Sequence, residues 1–243
     1  MKKLLIATLL FTFVFSNISA QNGVNNGQAK MLNQHLQLVN PSLFEKKSDG
    51  TFDLNFKNFK GSPFEKNEFV SGTIIDASNK TQTKMYLRYN MYSDEIEIKS
   101  NIYMPKANAL LKLADLGCII NNVKYNYLGF TNDEGTQKYG YLKLIYKGVN
   151  YSLYQRLKSR YIPKEDDHDT SYRRPQPARF EKNITYYLKH DGKITSIPSS
   201  KRILFRNYSS ISHVLKPYVK KLRPRLKDQN DLLRLVKYLD NKG

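Results

Sequence analysis

The chain has 243 residues, of which 40% are apolar and 12% aromatic, and this amount of buriable side chain excludes an intrinsically disordered protein. A single cysteine, Cys118, excludes an internal disulfide, so packing alone must hold the fold, and we expect this thiol to be buried among its aliphatic neighbours. The formal net charge of +19 favours anionic partners over cationic ones.

Residues 1–20 have the layout of a secretory signal peptide. Two lysines precede an apolar run over 4–15, and the small residues Ser19 and Ala20 stand before Gln21. As a helix, this run would be about 18 Å long, whereas the bilayer hydrocarbon is roughly 30 Å thick. We therefore predict an exported, periplasmic or extracellular protein that is cleaved after Ala20. The mature chain is expected to have no transmembrane segment and no lipid anchor on an N-terminal cysteine.

Residues 21–198 are predicted to form a β-rich domain behind a polar leader. A short helix is expected where Leu32, Leu36 and Val39 recur at helical spacing. Apolar residues then alternate over 69–75, 84–91 and 95–99, which predicts strands. In the third, Ile96 and Ile98 should face the core and Glu97 the solvent. A helical turn is expected over 104–116, and further strands over 119–130.

The clearest local prediction is a hairpin. Strands over 140–147 and 151–161 flank the turn 148–150, and the second strand should turn Tyr154, Arg156, Lys158 and Arg160 away from the core. A polar, proline-rich loop follows over 162–179. A last strand pair, over 179–189 and 193–197, closes the domain around Asp191 and Gly192.

Residues 199–243 are predicted to be a helical segment packed on this domain. Ser199 or Ser200 can cap a first helix, a second begins near Ser210, and Asp228 caps the last. The last helix carries an apolar stripe at the spacing i, i+3, i+4, i+7, formed by Leu232, Leu235, Val236 and Leu239. The fold class expected is α+β: a largely antiparallel sheet, in a roll, sandwich or open barrel, followed by short C-terminal helices.

Four segments resemble exported proteins of unassigned function from Bacteroidota. They are Gly61-Ser62-Pro63-Phe64, the stretch 87–97, Tyr186-Tyr187-Leu188 and the closing helix over 231–240. The resemblance implies the same export route and a sheet followed by short helices. It implies no activity and transfers no site residue.

No arrangement of residues predicts a specific catalytic chemistry. Asp166, Asp167, His168 and Asp169 are the best metal candidate, but no second ligand cluster has suitable spacing, and we predict neither a metal nor a cofactor. The pair Glu95 and Glu97 has a separation compatible with acid–base work, although acidic strand faces produce it routinely. The four histidines stand in no known catalytic motif.

Positive charge is concentrated in the second half, where residues 156–243 carry 22 basic and 9 acidic side chains. The candidate binding residues belong to one strand and to the connection between the last two helices: Tyr154, Arg156, Lys158, Arg160, Lys220, Lys221, Arg223 and Arg225. Cations beside aromatic rings can hold anionic groups, whereas solvated outer faces have the same composition.

We therefore expect a non-enzymatic protein of the cell envelope or secretome that binds an envelope protein, anionic lipid or glycan. Nucleic acid is not expected as a physiological partner of an exported protein. A small-ligand carrier with a barrel-like pocket and a hydrolase with a non-contiguous site remain the alternatives.

Overall fold

The computed structural model describes residues 60–164 and 176–242. The predicted signal peptide, polar leader and first helix lie outside these residues. So does the acidic cluster over 166–169.

In the described part of the chain, ten strands form one sheet, in the order β10-β9-β8-β7-β6-β5-β1-β2-β3-β4, in which every neighbouring pair is antiparallel. Three short α-helices follow the last strand, which confirms the predicted α+β class. The strands are β1 (Val70–Asp76), β2 (Thr81–Asn90), β3 (Glu95–Lys99), β4 (Asn108–Ala109), β5 (Leu116–Ile120), β6 (Val123–Thr131), β7 (Gln137–Lys147), β8 (Tyr151–Ile162), β9 (Arg179–His190) and β10 (Lys193–Ser196).

Alternating apolar residues give β1, β2, β3 and β5 a shared core. Leu87, Tyr89 and Met91 point into it from β2 and the turn after it, as the period-two pattern predicts. Cys118 of β5 is fully buried in the same cluster with a free thiol, which confirms the expected packing role.

The expectation that Glu97 faces solvent is wrong. Its side chain is buried beside Arg88, whose Nε and Nη2 donate to Glu97 Oε2 at 2.9 and 2.6 Å. Arg88 stands directly opposite Glu97 across the β2–β3 pair, so strand pairing places the two charges together. Arg88 therefore covers Glu97, and the negative charge of Glu97 is neutralised within the sheet.

The helical turn expected over 104–116 is also wrong. This segment has no helix and contains the two-residue strand β4, which pairs with β3. The amide of Leu110 donates to the carbonyl of Ile96 at 2.8 Å, and the Leu110 side chain is buried. Completing the edge of β3 therefore outweighs the local helix signal of Pro105.

The predicted hairpin and final strand pair are present as β7–β8 and β9–β10. One parallel pair, Thr195 with Thr131, also joins β10 to β6, so strands β6 to β10 curl into a ring. The interior of this ring is packed with side chains, and the rings of Phe130 and Tyr187 meet edge to face at 4.7 Å.

The opposite face of β8 and β9 packs against the helices α1 (Lys201–Asn207), α2 (Ser212–Leu222) and α3 (Gln229–Asp240). A short 3-10 turn over Ser209–Ile211 precedes α2. Asp228 caps α3 as predicted, since its Oδ1 accepts from the amide of Asp231 at 3.0 Å. Ser200 stands at the N-cap of α1, but its side chain makes no capping bond.

The apolar stripe of α3 is buried in this helix–sheet core, as its spacing predicts. At the end of α3, Asp240 accepts the amides of Val149, Asn150 and Tyr151 and the hydroxyl of Tyr146. These bonds tie the last helix to the β7–β8 turn. Within the described residues, no helix combines the length and apolar character needed to cross a membrane.

Candidate functional site

The N-terminal half of β9 has one free edge. Strand β8 pairs with β9 along its whole length, whereas β10 pairs only with Tyr187–His190. Two other segments meet this edge. The amide of Phe180 donates to the carbonyl of Lys60 at 2.8 Å, and the amide of Ile197 donates to the carbonyl of Tyr186, also at 2.8 Å.

Between these two contacts, Lys182 and Ile184 have the same backbone orientation. Phe180 and Tyr186 direct their backbone groups away from β8, and strand geometry repeats every two residues, so Lys182 and Ile184 direct theirs the same way. In the described part of the chain, no backbone partner meets these outward groups of Lys182 and Ile184. Within residues 60–164 and 176–242, the outward N–H and C=O groups of Lys182 and Ile184 are therefore unpaired.

A groove of about 810 Å³ runs along the free edge. Strand β8 contributes Lys158, Ser159 and Arg160 to its lining, and β9 contributes residues 181–186. Asp133, Ile197, Ser199, Leu226 and Lys227 complete the lining. The groove is open and mixed in character, with charged groups on both faces of β9 and the apolar side chains of Ile184, Ile197 and Leu226 nearby.

Three cations of the groove keep their charge uncompensated. Lys158, Lys182 and Lys227 form no ion pair with any other residue of the described ranges. Lys158 is half-buried, and this burial lowers its pKa, although the nearby Asp94 acts in the opposite direction. An anion in the groove would therefore meet a partly desolvated ammonium group.

Arg160 is committed to a carboxylate. Its Nη2 lies 3.3 Å from Glu181 Oε2, and Arg179 Nε lies 3.0 Å from Glu181 Oε1. The pKa of Glu181 is lowered, chiefly by the hydrogen bond from Arg179 and then by the one from Arg160. This exposed cluster leaves Arg160 less free to bind a partner than Lys158 is.

Tyr154 and Arg156 are not part of an exposed surface. Tyr154 is buried inside the ring of strands, where it packs beside Tyr187. Arg156 donates from Nη2 to Asp94 Oδ2 at 2.9 Å, and its guanidinium carbon lies 4.8 Å from the centre of the Phe130 ring. The expectation that the outer face of this strand is exposed therefore fails for these two residues, because the curled sheet covers them.

The second group of candidates lies in the last turn of α2, with Lys220 and Lys221, and on the connection from α2 to α3, with Arg223 and Arg225. Lys220, Lys221, Arg223 and Arg225 are exposed, but none of them lines the groove. Arg225 is bound to the start of α3, since its amide donates to Asp231 Oδ2 at 2.8 Å and its Nη2 to Asp228 Oδ2 at 3.3 Å. The same connection reaches the groove through Leu226 and Lys227 instead.

Two groove cations, Lys182 and Lys227, are absent from the sequence-based candidates. Lys182 falls within the correctly predicted strand β9, so alternation could place its side chain but not reveal that its edge is open. Lys227 follows the predicted basic run by two positions. Only the packing of the helices brings it to the strand edge.

The carboxylate of Glu65 is already committed to hydrogen bonds within the fold. In a cavity of about 140 Å³, Glu65 accepts from Tyr125 at 2.5 Å and from Lys143 at 2.7 Å, so both carboxylate oxygens are occupied. Burial and the Glu65 carboxylate raise the pKa of Tyr125. These bonds attach Glu65, which precedes β1 in the chain, to Tyr125 of β6 and Lys143 of β7.

Neither of the two described histidines completes a catalytic arrangement. His190 Nε2 lies 3.2 Å from Asp191 Oδ2 at the β9–β10 turn, but His190 does not line the groove beside β9 or the cavity at Glu65. His213 is exposed on α2. Among residues 60–164 and 176–242, no three metal-ligating side chains lie close enough to hold an ion.

Comparison with known proteins gives no relative. The chain matches no protein-family model, no curated protein and no solved structure.

Proposed function

We propose that this chain is an exported, non-enzymatic protein of the bacterial cell envelope or secretome that binds an anionic macromolecular partner in the groove beside β9. The observation that carries the proposal is the set of uncompensated cations, Lys158, Lys182 and Lys227, in one open groove of about 810 Å³. The groove lining has four basic side chains and two acidic ones, Asp133 and Glu181, and a concave site with an excess of one charge attracts the opposite charge. Export is inferred from residues 1–20 and from the resemblance to exported Bacteroidota proteins.

The small-ligand carrier is less well supported. That alternative needs an enclosed apolar cavity, and the ring formed by β6 to β10 is filled by Phe130, Leu142, Tyr154 and Tyr187. The hydrolase alternative needs a histidine in a cleft, and His190 and His213 line none of the grooves described above. Binding of a large partner needs neither feature.

The test uses protein purified from cells that express the whole sequence. Intact mass establishes whether residues 1–20 have been removed. The protein is then pelleted with bacterial cell envelopes over a salt series. A triple variant, Lys158→Gln with Lys182→Gln and Lys227→Gln, is compared with a matched variant in which the exposed Lys80, Lys106 and Lys147, outside the groove, become Gln.

We expect binding to fall steeply with salt, because screening acts on exposed charge. The groove variant should bind about tenfold more weakly, from three ionic contacts of roughly 0.5 kcal/mol each. The matched variant should bind like the native protein. Equal losses in both variants would mean non-specific attraction, and no binding at any salt concentration would refute the proposal.

A further inference from the structure

The free edge of β9 offers backbone groups as well as charge. Its own chain already meets this edge at two places, through Lys60 at Phe180 and through Ile197 at Tyr186. The two contacts lie six positions apart along β9, or roughly 20 Å. The outward N–H and C=O groups of Lys182 and Ile184 occupy the middle of this gap, inside the groove.

The two sides of the edge differ chemically. Lys158 stands opposite Asn183 across the β8–β9 pair, so these two side chains project from one face of the sheet. Ile184 projects from the other face and is 45% exposed, in the groove that Ile197 and Leu226 also line, and Lys182 projects from the same face as Ile184. A strand added at this edge would therefore direct alternate side chains toward Lys158 on one face and toward Ile184 on the other, where Lys182 adds a second cation.

We propose that Lys182 and Ile184 bind an extended peptide segment of a partner protein, in which acidic and apolar residues alternate, as an added β-strand. The inference rests on the proposed function and specifies its partner. Backbone hydrogen bonds would supply affinity, and the alternating sides of the groove would select the sequence. Lysines commonly protect exposed edges against self-pairing, and Lys182 would in addition favour an acidic strand over a second copy of this basic chain.

The probe is a fluorescein-labelled octapeptide of alternating Glu and Val, measured by fluorescence anisotropy with the full-length expressed protein. A peptide of alternating Glu and Gly has the same charge and little strand propensity. In two further versions of the probe, the amides are methylated at every second residue or at every residue. The first retains one edge able to form hydrogen bonds, and the second retains none.

We expect the alternating Glu–Val peptide and its half-methylated version to bind alike, and the fully methylated and Glu–Gly peptides to bind at least tenfold more weakly. Equal binding of all four peptides would overturn strand addition and leave charge attraction as the explanation. If no peptide binds, but heparin or phosphatidylglycerol vesicles bind in a Lys158-dependent manner, the peptide inference fails while the proposed function stands. If none of these probes binds and the envelope test is also negative, both fail.

A variant of the protein tests the same backbone hydrogen bonds by changing β9 instead of the peptide. Proline is tolerated where an edge strand turns its N–H outward, so Ile184→Pro removes one outward donor and leaves the β8 ladder intact. Ile184→Val keeps the donor and serves as the control. If circular dichroism shows that both variants are folded, we expect the proline variant to bind the peptide about fivefold more weakly than the valine variant. Equal affinities would overturn the inference, and the methylated peptides decide it if the proline variant does not fold.

Discussion

The ion pair between Arg156 and Asp94 predicts a large loss of stability when either charge is removed. Asp94 occupies a turn between β2 and β3 with φ of 56°, a conformation that Asn tolerates well, so Asp94→Asn removes the charge with little backbone strain. Asp94 accepts from Tyr89 at 2.6 Å and from Arg156 at 2.9 Å, and the two paired side chains are only 10% and 15% exposed.

The expected cost of Asp94→Asn is about 3 kcal/mol, at the lower end of the range for breaking a buried ion pair, because both side chains keep some solvent contact. Arg156→Met should also destabilise the protein, and the double variant should cost about 1–3 kcal/mol less than the sum of the two single variants. The measurement is urea unfolding monitored by circular dichroism, and the dependence of the unfolding free energy on urea concentration, the slope m, is compared among variants.

Arg160→Met is the matched control, since Arg160 is 76% exposed and its ion pair with Glu181 should contribute less than about 1 kcal/mol. If Asp94→Asn cost no more than this control, or if the double variant were additive, the pair would not hold the sheet. Arg156 and Lys158, two positions apart on β8, should respond differently to loss of charge. Reversing the charge of Arg156 should unfold the domain, whereas Lys158→Gln should leave it folded.

Two further predictions concern Asp240 and Cys118. The hydrogen bond from the Tyr151 amide, and to a smaller extent the other bonds to Asp240, lower the pKa of this carboxyl in the folded state. The contribution of Asp240 to stability is therefore complete above the ordinary aspartate pKa of about 3.9 and is lost as the pH falls below that value. The difference in unfolding free energy between the native protein and Asp240→Asn should therefore shrink on acidification through this range. A difference that is constant between pH 7 and pH 3 would contradict this role. Burial raises the pKa of Cys118 to about 12, so the native protein should not react with a thiol reagent at pH 8. After denaturation, one thiol per chain should react. Rapid labelling of the folded protein would contradict the prediction, because it would show that the thiol is accessible.

Local patterns in the sequence predict most of the described strands and helices. Alternation alone locates β7 and β8, and the cap at Asp228 with the stripe of α3 locates the last helix. The segment 104–116 is mispredicted because its outcome depends on the open edge of β3, which is a property of the assembled sheet. Local propensity describes a segment in isolation and does not include the partner that competes for its backbone.

The candidate site is less predictable than the fold, for the same physical reason. Arg156 has the same strand period as Lys158, and the sequence treats them alike. What separates them is Asp94, which lies 62 positions earlier in the chain and reaches Arg156 only after the sheet has curled. The groove likewise depends on Lys60 and Ile197 covering the two ends of one strand edge, a relation that no local pattern contains.

The count of 40 basic side chains therefore overstates the cations available to a partner, and in the groove the type of basic residue indicates which ones remain unpaired. The described arginines Arg88, Arg156, Arg179 and Arg225 are held by carboxylates within the fold. The planar guanidinium group suits such pairing, whereas the ammonium group of lysine is flexible and strongly hydrated. In the groove this division leaves Lys158, Lys182 and Lys227 unpaired while Arg160 is bound to Glu181. Binding specificity should consequently follow the position of these lysines rather than the total charge of the chain, which is why two triple variants of equal net charge should differ in affinity.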